Sequence, residues 1–120
     1  MIKVLVIEDN EMNRYLISFI LKGEGFDVIE AVTGEEGVEK AVSESPDMIL
    51  MDIQLPGIDG YEATRRIRAS PAKDTIPIVA LTSYAMAGDR ERALDAGCTG
   101  YVEKPINPDT IIDELKKYMK

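Results

Sequence analysis

Histidine is absent from this 120-residue sequence, and cysteine occurs once, as Cys98. Without histidine the chain cannot contain a Ser-His-Asp triad, a histidine-ligated metal site or a phosphohistidine of its own. A single cysteine excludes an intramolecular disulfide and a CxxC metal site. This cysteine content fits a reducing compartment.

Long apolar runs are also missing. No stretch approaches the roughly 18 apolar residues that a membrane span requires. The N-terminal sequence MIKVLVIED lacks the apolar region and the small-residue cleavage site of a signal peptide. We therefore expect a cytoplasmic protein without membrane insertion.

Basic residues are in the minority, with 14 Lys and Arg against 22 Asp and Glu and a formal net charge of −8. Such a chain repels a polyanion overall, so direct nucleic acid binding is not expected. The basic trio Arg65, Arg66 and Arg68 lies in a helical pattern and is interpreted as a solvated helix face.

What the sequence does contain is typical of one small globular domain spanning residues 1–120. Apolar runs rich in β-branched residues alternate with stretches of helical periodicity. The predicted strands cover residues 4–7, 26–31, 48–51, 76–81 and 100–102. The predicted helices cover residues 11–22, 33–43, 59–69, 85–96 and a last segment that starts at Asn107-Pro108.

This alternation predicts a (βα)5 α/β fold. Helices between successive strands imply parallel pairing with right-handed crossovers, and continuously apolar strands fit a sheet that is covered on both faces. Three helices carry apolar residues at helical spacing: Met12, Leu16, Phe19 and Ile20 in the first, Val38, Ala41 and Val42 in the second, and Ile111, Leu115, Tyr118 and Met119 in the last.

Polar residues follow four of the five predicted strands. They are Glu8 and Asp9 after the first strand, Asp52 after the third, Thr82 after the fourth and Lys104 after the fifth. Open α/β sheets bind ligands beyond the carboxyl ends of their strands. These side chains are therefore expected to share one site.

The chemistry of this group favours phosphoryl transfer. Three carboxylates at close range repel one another unless a cation offsets them, and oxygen ligands with room for water suit Mg2+. Lys104 adds a fixed positive charge and Thr82 a hydroxyl donor. Transfer of a phosphoryl group depends mainly on positioning and charge neutralisation, and an aspartate can be the nucleophile that accepts it.

Each of these residues has an ordinary interpretation when it is considered alone. Glu8 and Asp9 could cap the helix that follows, and Asp52 could begin a turn. Thr82 could be a satisfied hydroxyl at a strand end, and Lys104 a surface lysine. Their joint placement at neighbouring strand ends favours a site.

Four motifs carry a family resemblance: VLVIEDN at 4–10, MILMDIQLPGIDGYE at 48–62, PIVALTS at 77–83 and GYVEKP at 100–105. Over its full length the chain resembles the receiver domains of bacterial two-component response regulators. The resemblance implies a flavodoxin-like three-layer fold with strand order 2-1-3-4-5.

The same resemblance implies a role for each site residue. Asp52 is the expected phosphoacceptor, with Thr82 and Lys104 contacting the phosphoryl group. Mg2+ is expected to bind Asp9 and Asp52 directly, Glu8 through water, and the backbone carbonyl of Gln54. The remaining expectations are an aromatic switch at Tyr101, a cis peptide bond between Lys104 and Pro105, and tuning of dephosphorylation by Gln54 and Tyr84.

The implied partners are a sensor histidine kinase or a histidine phosphotransfer protein as donor, and a downstream protein target. The target would contact the face formed by the fourth helix, the fifth strand and the fifth helix. A monomer or weak dimer is expected, and the chain is not expected to be an enzyme that acts on outside substrates.

Three alternatives stay open. One is a small phosphatase resembling the haloacid dehalogenases, although that class needs an acid where this chain has Gln54. Another is an interaction module that works without phosphorylation. The third is a receiver excised from a hybrid histidine kinase, which the stretch MDIQLPGIDGYEATRRIR also resembles, while a methionine directly before the first strand favours a stand-alone protein.

Overall fold

The computed structural model of the protein describes residues 1–72, 75–83 and 87–119. Five strands alternate with five helices in this part of the chain. The strands are β1 (Lys3–Ile7), β2 (Asp27–Ala31), β3 (Met48–Asp52), β4 (Ile78–Thr82) and β5 (Gly100–Glu103). The helices are α1 (Glu11–Gly23), α2 (Gly34–Ser43), α3 (Gly60–Arg68), α4 (Ala87–Ala96) and α5 (Ile111–Lys116).

All strands pair in parallel in one sheet, in the order β2-β1-β3-β4-β5. This confirms the predicted flavodoxin-like topology. The register aligns the strand ends, because Asp52 pairs with Leu81 and Thr82 pairs with Glu103. The polar residues that follow β1, β3, β4 and β5 therefore emerge at the same edge.

Two apolar cores lie on opposite faces of the sheet. Alternate residues of the central strands, such as Leu5 and Ile49, pack with α2, α3 and α4, while Val4 and Leu50 pack with α1 and α5. Every residue of β3 and β4 is buried. This pattern confirms the three-layer arrangement.

Among the described residues, most element boundaries lie within one residue of the sequence prediction, and two differ by more. Strand β4 begins at Ile78 rather than Ile76, and Pro77 directly before it has no N–H to donate to a ladder. Helix α5 begins at Ile111. Asn107, the predicted start of this helix, instead caps a turn, because its side chain accepts from the Asp109 N–H at 2.9 Å. The predicted start of α4 at residues 85 and 86 lies outside the described residues.

The apolar stripe predicted on the first helix is largely not a core stripe. The exposed fractions are 81% for Met12, 40% for Leu16 and 66% for Phe19. Helix α1 instead buries Ile17 and Leu21, one turn apart, against the sheet. The helix thus carries two apolar faces, and a helix that packs on one side of a sheet can bury one of them.

The other stripes agree better with the prediction. Ile111 and Leu115 are buried, and Tyr118 and Met119 pack partly buried beyond the end of α5. In α2, Ala41 is buried, but Val42 is 39% exposed and is not a core residue. No helix in the described ranges has the combined length and apolarity of a membrane span.

Candidate functional site

The strand ends hold an ion-pair network at their shared edge. Glu8 is fully buried and Asp52 is 3% exposed. The Nζ atom of Lys104 lies 2.9 Å from Glu8 Oε1 and 3.1 Å from Asp52 Oδ1. One ammonium group therefore faces two buried carboxylates from strands that are distant in sequence.

Asp9 completes an acidic group with Glu8 and Asp52. One carboxylate oxygen from each of the three lies within 4.8 Å of the others. Asp9 is exposed, whereas the other two acids are buried. The Asn10 N–H donates to Glu8 Oε2 at 3.2 Å, which fixes the buried acid from the backbone side.

The ionisation of this pair is unequal. Burial, followed by the neighbouring Glu8 carboxylate, raises the pKa of Asp52 to about 7 although Lys104 opposes the shift. Burial also acts to raise the pKa of Glu8, but hydrogen bonding with Asp52 and Lys104 outweighs it, so that pKa is lowered. Burial would lower the pKa of Lys104, and its two acidic partners raise it instead.

The loop after β3 fixes the Asp52 side chain. The Gln54 N–H donates to Asp52 Oδ1 at 3.2 Å. A Cβ atom on Gly60 would collide with the Asp52 carbonyl oxygen, so glycine is required where α3 begins against the end of β3. Gly57 has φ of +76°, a conformation that glycine adopts readily. These features explain the Pro-Gly and Asp-Gly pairs that follow Asp52.

The ends of β4 and β5 are joined beside this network. The Lys104 N–H donates to the Thr82 carbonyl at 2.7 Å, and Thr82 is 9% exposed. The peptide bond between Lys104 and Pro105 is cis, the isomer that the sequence resemblance implies. The structure therefore places Thr82 next to Lys104, as the strand-end argument predicts.

Two of the remaining predicted residues, Gln54 and Tyr101, lie in the part of the chain that the structure describes. Gln54 is exposed, and its backbone N–H contacts Asp52 as described. Tyr101 is half-buried on β5, with the Arg90 guanidinium 5.7 Å from the centre of its ring. Tyr84, predicted to tune dephosphorylation, lies outside the described residues.

The donor set suits a hard divalent cation. All three acidic side chains offer oxygen, the ligand that Mg2+ prefers, and a single nearby lysine does not balance three carboxylates. The exposed position of Asp9 leaves room for water ligands, which Mg2+ retains in most protein sites. Glu8, Asp9 and Asp52 are thus positioned to bind a metal ion.

Comparison with known proteins agrees with this geometry. Residues 4–116 match the family described as the response regulator receiver domain. The chain belongs to this family. It is a receiver domain of the kind used in two-component regulation, and its fold and acidic cluster fit that assignment.

Particular relatives cover nearly the whole receiver. The polar-differentiation response regulator DivK of Brucella ovis is 38% identical over 116 residues, 97% of this chain and 94% of its own length. The receiver domain of the sensor histidine kinase PA1611 of Pseudomonas aeruginosa, solved with magnesium in its active-site cleft, is 39% identical, with a TM-score of 0.89 and coverage of 97% and 95%.

A third similarity is to a chain of the yeast co-crystal structure of the histidine phosphotransfer protein Ypd1 and the receiver domain of its response regulator Ssk1. It is 29% identical, with a TM-score of 0.89, over 98% of this chain and 88% of that one.

Sequence reasoning missed the exposed face of α1, which we call the α1 apolar face: Met12, Tyr15, Leu16 and Phe19. The rings of Tyr15 and Phe19 stack with centroids 6.2 Å apart. This face continues to the site, because Leu16 and Asn13 line a groove together with Lys104, Pro105 and Ile106. A signal was available, since α1 has more apolar residues than one buried stripe can use.

Proposed function

We propose that this receiver accepts a phosphoryl group on Asp52 from a phosphohistidine of a partner protein. The observation that carries the proposal is the buried Asp52 carboxylate with Lys104 Nζ at 3.1 Å and two further acids within 4.8 Å. With a divalent cation on the acids, this arrangement is suited to hold a doubly negative group that would be repelled elsewhere on an acidic chain.

In the transfer step a P–O bond forms at an Asp52 carboxylate oxygen while the P–N bond of the phosphohistidine breaks. The electron pair of that bond returns to the imidazole nitrogen, which takes up a proton. Asp52 must be ionised to attack, and Lys104 favours the ionised form. The product is an acyl phosphate with about −1.5 to −2 charge, by analogy with other phosphorylated side chains.

Mg2+ is the proposed cofactor, held by Glu8, Asp9, Asp52 and the backbone carbonyl of Gln54. When bound, it would neutralise the carboxylates and the phosphoryl oxygens. The acidic group of this chain and the magnesium in the related PA1611 receiver support the assignment. Lys104 contributes the remaining fixed positive charge.

The proposed response to phosphorylation begins with Thr82 and Lys104. Both would move toward the new charge, and Tyr101 would fill the space that Thr82 leaves. Tyr101 is half-buried between Arg90 of α4 and the core, so a change in its rotamer would alter the face formed by α4, β5 and α5. This is a shift between two states driven by different contacts, and a downstream protein target would read it.

The donor is proposed to be a histidine kinase or a histidine phosphotransfer protein. The similarity to the structure of Ypd1 with the Ssk1 receiver supports this class of partner. The α1 apolar face is the surface we assign to the donor, because it is exposed and shares a groove with Lys104. A donor that covers both would bring its histidine toward Asp52, because Lys104 Nζ lies 3.1 Å from Asp52 Oδ1.

Replacing Phe19 with glutamine should slow transfer from the cognate phosphohistidine protein by about tenfold at subsaturating donor, since a central interface aromatic is often worth 1–2 kcal/mol or more. Phosphorylation by acetyl phosphate should be unchanged, because that donor needs no docking surface. Val42→Gln, an exposed apolar residue on α2, is the matched control. A fall in both reactions, or in neither, would contradict this assignment.

Incubation with acetyl phosphate and Mg2+ tests the proposed function. Stoichiometric, hydroxylamine-sensitive labelling that is absent in Asp52→Asn is the expected result. Continuous turnover of phosphate esters would instead support the phosphatase alternative. Absence of labelling in a folded, Mg2+-bound protein would support an interaction module that works without phosphorylation.

A further inference from the structure

An arginine on α1 reaches back to the turn that carries the acidic pair. Arg14 Nη1 donates to the backbone carbonyl of Glu8 at 3.0 Å and lies 3.5 Å from the carbonyl of Asp9. Its side chain is 17% exposed. One guanidinium thus contacts the two successive carbonyls that set the direction of this turn.

The guanidinium is itself held in place. Arg14 Nε lies 3.4 Å from Glu30 Oε1, and Glu30 Oε2 accepts a 2.6 Å hydrogen bond from Ser18. Glu30 belongs to β2, and Arg14 and Ser18 belong to α1. The arginine therefore ties the turn after β1 to two rigid elements.

Asp9 is the acid that depends most on this tie. Glu8 is fixed by Lys104 and by the Asn10 N–H, and Asp52 by Lys104 and the Gln54 N–H. No donor from residues 1–72, 75–83 and 87–119 holds the Asp9 carboxylate, so its position follows from its backbone. We propose that Arg14 is a positioning residue that fixes Asp9 for metal binding, an inference that rests on the proposed function.

Electrostatics predicts the opposite effect, which makes the proposal testable. A positive charge near an acidic site repels a divalent cation, so its removal alone would tighten Mg2+ binding. If Arg14 acts by positioning, its removal weakens Mg2+ binding, as losses of groups that orient metal ligands do. The sign of the change separates the two roles.

The experiment is a calorimetric titration of the full chain with Mg2+. We expect the Kd for Mg2+ to be roughly tenfold higher in Arg14→Gln than in wild type. This is the lower end of the effects seen when a residue that orients a metal ligand is lost. Arg14→Lys keeps the positive charge but loses the planar guanidinium group. Its Kd for Mg2+ should lie between those of Arg14→Gln and wild type. Lys22→Gln, which removes an exposed positive charge from the same helix, should leave the Kd unchanged or lower it.

Unfolding midpoints in EDTA separate positioning from a general loss of stability. The expected result is a weakened Kd in variants that remain folded throughout the titration. A Kd for Arg14→Gln equal to or below that of wild type overturns the inference while the proposed function stands. If Arg14→Gln does not fold, a wild-type Kd in Arg14→Lys overturns it. A wild type that binds no Mg2+ overturns both.

Discussion

Asp52→Asn should raise the free energy of unfolding of the metal-free protein by roughly 2–4 kcal/mol near pH 8. This range follows because each unit of pKa shift corresponds to about 1.4 kcal/mol. Burial and the neighbouring Glu8 raise the pKa of Asp52 to about 7, so ionised Asp52 destabilises the fold. Asparagine keeps the size of the side chain and removes the charge. Urea unfolding in EDTA measures the gain.

The gain should depend on pH in a defined direction. Because the folded pKa of Asp52 lies above its unfolded value, the folded state binds a proton that the unfolded state releases. Wild-type stability from this group is therefore present below the ordinary pKa of aspartate and is lost as pH rises toward about 7. The difference in unfolding free energy between Asp52→Asn and wild type should be small near pH 4 and reach its maximum above pH 7, two values that bracket this window.

Asp27→Asn is the control for this prediction. Asp27 is an exposed acid on β2, and exposed substitutions usually change stability by less than about 0.5 kcal/mol. An Asp52→Asn protein that is no more stable than wild type near pH 8, or equally stabilised at every pH, would contradict the proposed charge repulsion.

Lys104→Met should have the opposite effect and lower the free energy of unfolding by roughly 2–4 kcal/mol near pH 8. Removing one partner of a buried ion pair leaves an uncompensated charge, which typically costs about 3–5 kcal/mol. Here two buried carboxylates lose their shared ammonium, and the partial exposure of the lysine reduces the cost. The loss should shrink near pH 5, in the range where protonation of the Asp52–Glu8 pair relieves repulsion.

Lys116→Met provides a matched control for this loss. The Lys116 and Glu24 side chains pair at 3.0 Å but are 52% and 40% exposed, and exposed pairs contribute about 0–1 kcal/mol. In an Asp52→Asn background, Lys104→Met should lower the free energy of unfolding far less than it does in the wild-type background. An equal cost in both backgrounds would show that the lysine does not act on Asp52.

The sheet and the location of the site could be predicted from the sequence because both follow from local patterns. Strands such as Met48–Asp52 are apolar up to a polar last residue, and parallel pairing then brings those ends to one edge. The order of the strands rested on family resemblance, since no local pattern distinguishes 2-1-3-4-5 from other parallel orders.

What the sequence could not reveal depends on long-range contacts. The Lys104–Glu8 pair joins residues 96 positions apart, and it helps to lower the pKa of Glu8 while burial raises that of Asp52. Likewise, helical spacing in α1 does not reveal which of two apolar faces the sheet covers. The sequence alone does not distinguish Arg14 from an ordinary surface arginine, because its contacts with the Glu8 and Asp9 carbonyls depend on the folded turn.

Locating the phosphoryl group is the decisive measurement for Asp52 as the phosphoacceptor. The acetyl phosphate-treated protein is reduced with borohydride, which converts an aspartyl phosphate to homoserine, and its peptides are mapped by mass spectrometry. We expect conversion at Asp52 and at no other aspartate. Conversion at Asp9 or Asp59, or a stable phosphate on a hydroxyl such as that of Ser83, would contradict it.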